Sequence, residues 1–113
     1  MEKKNGNKVV LMKQIKYIKD EMEKGSTGCF IDIHENIFYL LNGKLHKNDG
    51  PCSILSSGSK FWCFQGMDHR SDGPSIEYRD GSKEWWYYGI NAKNEKEFYN
   101  MGWRKKIEIK RFL

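Results

Sequence analysis

The stretch Phe38-Tyr39-Leu40-Leu41-Asn42-Gly43 recurs twice further along the chain, as Phe61-Trp62-Cys63-Phe64-Gln65-Gly66 and as Glu84-Trp85-Trp86-Tyr87-Tyr88-Gly89. The closing glycines are Gly43, Gly66 and Gly89, so the two intervals between them are equal. A fixed period of about 20 to 50 residues is typical of repeat arrays, in which each unit buries its apolar face only against its neighbours. The period therefore predicts a repeat-built domain and directs the search for function to its surface.

Two further segments keep the same period. His46-Lys47-Asn48-Asp49-Gly50-Pro51 is matched by His69-Arg70-Ser71-Asp72-Gly73-Pro74, and Ser56-Ser57-Gly58-Ser59-Lys60 is matched by Arg79-Asp80-Gly81-Ser82-Lys83. This pattern resembles the MORN-like 23-residue β-hairpin repeats of the His-Arg-x-Asp-Gly-Pro type, over about residues 28–101. The third unit departs from it, because Ala92 replaces the histidine and Glu95-Lys96-Glu97 replaces Asp-Gly-Pro. We expect the array to end there.

The resemblance implies a binding surface rather than an enzyme. Such repeats occur in antitoxin-like bacterial proteins and in small phage proteins, and they share no single activity. The residue types agree with this expectation, since the sequence has no CxxC, no glycine-rich phosphate loop, no serine-centred elbow and no HExxH motif.

The predicted fold class is α+β, mainly antiparallel β, in one domain over residues 1–113. The repeats at 28–92 predict a β-hairpin meander of about six strands, at residues 30–33, 37–42, 52–55, 60–65, 75–78 and 83–88. Ser57-Gly58 and Asp80-Gly81 are the predicted hairpin turns, in which glycine supplies a positive φ. The segments that run from Gly43 and from Gly66 to the following Asp-Gly-Pro are predicted to be irregular loops.

Helices are predicted on both sides of the repeats. Over residues 8–24 the apolar residues recur at steps of three and four, which is typical of an amphipathic helix packed on a sheet. The C-terminal cap and basic tail span residues 93–113. Within them Asn94 and Glu97 have the capping-box spacing, so a short helix is expected from about 95 to 101.

Alternation places apolar side chains on both faces of the predicted sheet. One face can be covered by the N-terminal helix, whereas the other needs the C-terminal segment, another subunit or a target protein. A homo-oligomer is therefore one expectation if an aromatic face is otherwise uncovered. An open aromatic face would be an interaction site, because large exposed apolar patches on soluble proteins usually are.

Charge and cysteine content indicate which partners and which cellular compartment to expect. Residues 1–24 carry seven Lys against four acids, residues 25–92 six Lys or Arg against eight acids, and residues 93–113 seven against three. The basic ends could attract nucleic acid or an acidic protein surface. The sequence has no apolar run of membrane-spanning length and no signal-peptide core, so we expect a cytoplasmic protein that does not contact membranes, with its three cysteines reduced. The alternative is an oxidised pair of Cys52 and Cys63 under stress, since the two residues would face each other if Ser57-Gly58 is a two-residue turn.

The pairs His46/Asp49 and His69/Asp72 have the residue types of a catalytic or metal site. Equivalent residues of adjacent repeats should lie two strands apart, roughly 10 Å, too far for one metal ion to bind both histidines. A structural role is simpler, with aspartate bonding its own loop and proline opening a strand. We expect no catalytic residue, no metal and no cofactor. The weaker alternative is a hydrolase that uses His69 and Asp72.

These observations predict a non-catalytic protein that docks on a partner protein, in the manner of a small inhibitor. The resemblance suggests an antitoxin or phage anti-defence role, with a target that itself handles nucleic acid. The alternative is direct binding of RNA or single-stranded DNA through the basic tail and the aromatic residues. The predicted partner-binding residues are Trp62, His69, Arg70, Trp85, Trp86, Tyr88, Arg104, Lys105, Lys106, Lys110 and Arg111.

Overall fold

The computed structural model describes residues 12–101, which form mostly antiparallel sheet with few helices, in agreement with the predicted α+β class. In chain order the elements are β1 Met12–Ile15, α1 Ile18–Glu23, β2 Gly28–Asp32, β3 Ile37–Leu41, β4 Lys44–Leu45, β5 Ser53–Ile54, β6 Lys60–Phe61, β7 Cys63–Phe64, β8 Met67–Asp68, β9 Ile76–Glu77, β10 Lys83–Tyr87, β11 Ile90–Ala92 and a helix α2 at residues 95–101. No helix in this part of the chain is long and apolar enough to span a membrane.

The strands of the main sheet lie side by side in the order in which they occur in the chain. Its strand order is β1-β2-β3-β5-β6-β9-β10-β11, with β4 paired to β3, while β7 and β8 form a separate hairpin. Every pair is antiparallel except β1 with β2, which is parallel. The predicted strand at 60–65 is divided into β6 and β7 by Trp62.

The N-terminal helix predicted over residues 8–24 is wrong at Met12–Ile15, and the segment is helical only over Ile18–Glu23. Met12–Ile15 is a strand that pairs with β2, and α1 covers only Ile18–Glu23. Tyr17 separates them with an extended backbone at φ −131°. The physical reason is a tertiary contact. Pairing with the edge of β2 gives the backbone N–H and C=O groups of Met12–Ile15 hydrogen-bond partners, and the spacing of apolar residues does not predict this pairing. Residues 8–11 of the predicted helix lie outside the described residues.

Three hairpins turn at the closing glycines of the repeats. Asn42-Gly43, Gln65-Gly66 and Tyr88-Gly89 all have positive φ at both positions, between 46° and 86°. Consecutive residues with positive φ match the twist of paired strands, and Asn-Gly favours this turn strongly. The short strands β4 and β8 therefore replace the first part of the irregular loops that the sequence predicted after Gly43 and Gly66, and β11 completes the third hairpin after Gly89.

Equivalent residues of adjacent units make the same backbone hydrogen bonds. The Tyr39 amide donates to the Cys52 carbonyl at 2.8 Å, and the Trp62 amide donates to the Ser75 carbonyl at 2.8 Å. The tight turns between units recur in the same way, each closed by an amide-to-carbonyl bond of 2.9–3.0 Å, at Asp32/Asn36, Leu55/Ser59 and Tyr78/Ser82. Glu35 has a positive φ of 66° in the first of these turns, where Gly58 and Gly81 serve the other two.

Within residues 12–101, hydrophobic side chains form two buried clusters at opposite ends of the strand order. The N-terminal cluster consists of Ile15, Phe30 and Leu40, with Ile18 and Leu45 packed against it. The C-terminal cluster consists of Tyr87, Ala92 and Phe98, with Trp85 and Met101 packed against it.

The C-terminal cluster depends on α2, which the sequence predicted. The Asn94 side chain accepts the Glu97 amide at 2.8 Å, and the Glu97 carboxylate accepts the Lys93 amide at 2.7 Å. These bonds satisfy amides at the start of a helix, where they have no intrahelical partner. They fix α2 so that Phe98, which is 1% exposed, packs on Tyr87 and Ala92.

Between the two clusters, a disulfide joins Cys52 to Cys63, and their Cα atoms are 5.5 Å apart. The expectation of three reduced cysteines is therefore wrong for this pair, while Cys29 is a free, buried thiol. The reason is geometric, since the hairpin of β5 and β6 brings the two residues within bonding reach, which their spacing in the sequence did not fix.

Candidate functional site

The three hairpin turns lie side by side. The Gly66 amide donates to the Leu45 carbonyl of the preceding hairpin at 2.8 Å, and the Gly89 amide donates to the Asp68 carbonyl at 2.9 Å. A Cβ at position 89 would stand 3.6 Å from the Met67 side chain, so the turns are also in close contact. We call residues 41–44, 64–67 and 87–90 the tip ridge.

Apolar side chains project from this ridge into solvent. The large exposed ones are Leu41 at 37%, Met67 at 40%, Tyr88 at 40% and Ile90 at 50%. Of these four, only Tyr88 was predicted from the sequence as a partner contact. The two-residue turn at each glycine could have indicated that Leu41, Met67 and Ile90 are exposed. Residues that flank such a turn lie at the end of a hairpin, where neighbouring strands do not cover them.

A histidine holds each of the last two turns. The Gln65 amide donates to His46 Nδ1 at 2.9 Å, and the Tyr88 amide donates to His69 Nδ1 at 2.8 Å. The His69 ring also stacks on the Tyr88 ring, with centroids 3.7 Å apart and planes at 18°. Thus His69 and Tyr88, both predicted as partner contacts, are in contact with each other.

Phe64 connects the two histidine sites. Its ring centroid lies 4.9 Å from that of His46, 6.2 Å from that of His69 and 5.6 Å from that of Tyr88. Aromatic pairs at such separations contribute beyond the area they bury. Tyr88 is therefore an exposed side chain on an ordered aromatic support.

Arg70 and Trp62 also come together, but Arg70 is engaged within its own unit. The guanidinium lies 4.0 Å from the Trp62 ring centroid. Its Nε donates to Asp72 at 3.1 Å, and its Nη1 donates to the Pro74 carbonyl at 3.1 Å and to Glu77 at 3.2 Å. These interactions of the Arg70 side chain fix the loop at residues 69–74 and the Trp62 ring that the guanidinium covers.

Lys47 occupies the equivalent position one unit earlier. Its ammonium lies 4.2 Å from the Tyr39 ring centroid and 3.1 Å from the Asp49 carboxylate. The hydrogen bond and charge of Lys47 hold the pKa of Asp49 below its usual value. A groove of about 510 Å³ separates the two loops and is lined by both cations, both aspartates, Trp62 and Phe64, among others.

The Trp85 and Trp86 side chains lie apart from this group, although the Arg70 amide donates to the Trp86 carbonyl at 3.3 Å. Trp85 packs against the C-terminal cluster, and its buried Nε1 has no hydrogen-bond partner within residues 12–101. Trp86 is half-buried, and its Nε1 donates to Glu84 at 2.8 Å. The structure thus brings together four of the predicted residues, Trp62, Arg70, His69 and Tyr88, and places these two tryptophans elsewhere.

The remaining predicted contacts, Arg104, Lys105, Lys106, Lys110 and Arg111, lie outside the described residues. Within the described range, no three His, Cys, Asp or Glu side chains are grouped so that they could hold a metal ion. Comparison of the chain with protein-family models, with curated proteins and with solved structures finds no match.

Proposed function

We propose that this chain is a non-catalytic protein-binding module that docks on a partner protein through the tip ridge. The observation that carries the proposal is a row of exposed apolar side chains, Leu41, Met67, Tyr88 and Ile90, on adjacent turns joined by backbone hydrogen bonds. Exposed apolar patches mark interaction sites, and anchors that are already ordered lose less entropy on binding.

Tyr88 is the proposed anchor. Tyrosine is enriched among the residues that dominate binding free energies, because its ring buries a large area and its hydroxyl can still find a partner. Here Tyr88 is 40% exposed, and its ring stacks on that of His69. Trp62, Trp85 and Trp86 are less suited to this role, since each is at least half-covered by its own unit.

The described residues favour a protein over a nucleic acid as the partner. Lys47 and Arg70, the two cations of the groove, each pair with an aspartate of their own loop. Neutralised cations contribute little to phosphate binding, which depends on net positive charge. Direct binding of RNA or single-stranded DNA through the basic tail is the alternative, and the experiment must distinguish it from docking on a protein.

The repeat family, the inhibitory role and the class of target are proposed from the resemblance to MORN-like repeats. We take the chain as a repeat-built hairpin meander of the MORN-like type, which the recurrence of its hydrogen bonds from one unit to the next supports. By that resemblance docking would inhibit its target, as in antitoxin or anti-defence proteins, and the target would be an enzyme that handles nucleic acid. A cytoplasmic location belongs to the same proposal.

The experiment is affinity capture from lysate with the tagged chain, with and without nuclease, using three proteins in parallel. Tyr88→Asn removes the anchor and places at φ 46° the residue type that Asn42 has at φ 52° in the first turn, so the fold should tolerate it. Tyr17→Asn is the matched control, because Tyr17 is 60% exposed and lies outside the ridge. Losing a tyrosine anchor costs about 2 kcal/mol or more, roughly a thirtyfold loss of affinity.

The proposal predicts one stoichiometric protein that survives nuclease, is kept by Tyr17→Asn and is lost with Tyr88→Asn. Recovery of a mixed set of proteins that disappears with nuclease would instead support the nucleic-acid alternative. Equal capture by Tyr88→Asn and the unmodified chain would exclude the ridge as the docking surface.

A further inference from the structure

Three equivalent amides close the three turns of the tip ridge, but their acceptors differ chemically. The Gln65 and Tyr88 amides donate to the Nδ1 atoms of His46 and His69. In the first turn the Asn42 amide donates to Thr27 Oγ1 at 2.9 Å. Two acceptors can therefore bind a proton near neutral pH, whereas the hydroxyl cannot.

Each histidine must be neutral, with its proton on Nε2, to make this bond. Nδ1 accepts an amide proton only when it carries none itself. For His46 a second contact agrees, because Nε2 lies 3.0 Å from Asn48 Oδ1, where it can donate. An imidazolium has a proton on both nitrogens, so it would direct Nδ1–H at the backbone N–H and replace the attraction by repulsion.

The turns that these bonds close are conformationally costly. Gln65 and Tyr88 have φ values of 49° and 46°, a region that residues other than glycine, asparagine and aspartate seldom occupy. Such a conformation persists only while surrounding interactions determine it. Loss of the imidazole bond removes one of those interactions at the residue that carries the proposed anchor.

The surroundings of His69 also disfavour its charged form. The titratable and charged groups around it are Asp68, Arg70 and Asp72 on its own segment, Tyr87 and Tyr88 on the facing hairpin, and Lys47 and Asp49 across the groove. Burial lowers the pKa of His69 below its usual value. Since the folded state binds this proton less readily than the unfolded state, the contribution of His69 to stability is complete above about pH 6.5 and falls as the pH decreases toward the folded pKa.

We propose that the third turn of the tip ridge is proton-sensitive: protonation of His69 releases the Tyr88 amide that its imidazole accepts and loosens this turn, while the Thr27-bound first turn persists. Its consequence, that mild acid weakens docking, rests on the proposed function. The conformational part does not, because it concerns the free chain.

The test is amide hydrogen exchange of the full chain, followed by NMR across a pH series and divided by the intrinsic exchange rate at each pH. The protection of Tyr88 should fall as the pH decreases below about 6.5, by up to about tenfold per pH unit until the folded pKa of His69 is reached. The protection of Asn42 should stay constant and serves as the internal control. Equal protection at all pH values, or a parallel loss at all three amides, would overturn the proposal.

His69→Asn supplies a second, independent measurement. An asparagine side-chain oxygen can take the place of Nδ1 and accept the Tyr88 amide without titrating, so Tyr88 protection in this variant should not depend on pH. A pH-dependent loss in His69→Asn equal to that of the unmodified chain would contradict the assignment to His69. Because neither measurement uses a partner, failure of the docking experiment leaves this test unaffected, and the reverse also holds.

Discussion

The His46 loop, residues 46–51, and the His69 loop, residues 69–74, have the same backbone hydrogen bonds but differently anchored side chains. The His46 and His69 amides each donate at 3.0 Å to the carbonyl seven residues earlier. Lys47 has one carboxylate partner, whereas Arg70 bonds two carboxylates and a carbonyl. The shared residues therefore determine the path of the backbone, and the variable ones determine how firmly each loop is held.

The largest expected effect comes from the covalent difference between the units. Cys52 and Cys63 form a disulfide, while the equivalent positions one unit later are Ser75 and Trp86, and Ser75 Oγ donates to the Glu84 carbonyl at 3.4 Å. Replacing both cysteines by serine should lower the free energy of unfolding by about 2–4 kcal/mol, because the unfolded chain loses its cross-link. Urea denaturation measures this change.

Reductant provides the control for that prediction. It should destabilise the unmodified chain by a similar amount and leave the Cys52→Ser/Cys63→Ser variant unchanged. If reductant affects neither protein, the two thiols are not joined in solution, and the hairpin is held by packing alone.

The second prediction exchanges the cations of the two loops. Arg70→Lys should lower the free energy of unfolding by about 1 kcal/mol, because lysine cannot reproduce the forked donation to Asp72, Glu77 and the Pro74 carbonyl. Lys47→Arg should change it by less than about 0.5 kcal/mol, since Asp49 is mostly exposed and surface pairs contribute little. Equal effects of the two variants in thermal or chemical denaturation would show that the loops are held equally.

The smallest predicted effect concerns the tight turns between units. Glu35 has φ 66° where Gly58 and Gly81 stand in the later turns, and its side chain is exposed. Glu35→Gly should raise the free energy of unfolding by about 0.5–1 kcal/mol, because glycine adopts positive φ without steric cost.

Gly58→Ala is the matched reverse change. Its new Cβ would have room, with Arg79 4.0 Å away, but φ 107° is strained for alanine. It should lower the free energy of unfolding by a similar amount. Destabilisation by Glu35→Gly would mean that the first turn is not equivalent to the other two.

Much of the β-structure could be predicted because its signals are local. The repeat period located β2, β3 and β10 closely, Gly58 and Gly81 marked turns with positive φ, and Asn94 with Glu97 marked the start of α2. Each of these depends on residues that are close together in the sequence. Asn42-Gly43 also favours a hairpin turn locally, but the Asp-Gly-Pro that follows it predicts a loop, so the short strand β4 between them was not predicted.

The features that could not be predicted depend on contacts between distant segments. Met12–Ile15 has a helical spacing of apolar residues, yet it pairs as a strand with β2, which lies beyond α1 in the chain. The Cys52–Cys63 disulfide depends on strand register. For the candidate site, His69 and Tyr88 were each predicted as partner contacts. Their hydrogen bond and ring stacking were not, because these contacts join two different hairpins.

The most direct test of this account is the tautomer of the two histidines, read from imidazole ¹⁵N chemical shifts at neutral pH. The account predicts that both rings carry their proton on Nε2, because each Nδ1 accepts a backbone amide from the next hairpin. A proton on Nδ1 in either ring, or a mixture of tautomers, would contradict it. That result would mean that the equivalent histidines do not support the ridge on which the proposed docking depends.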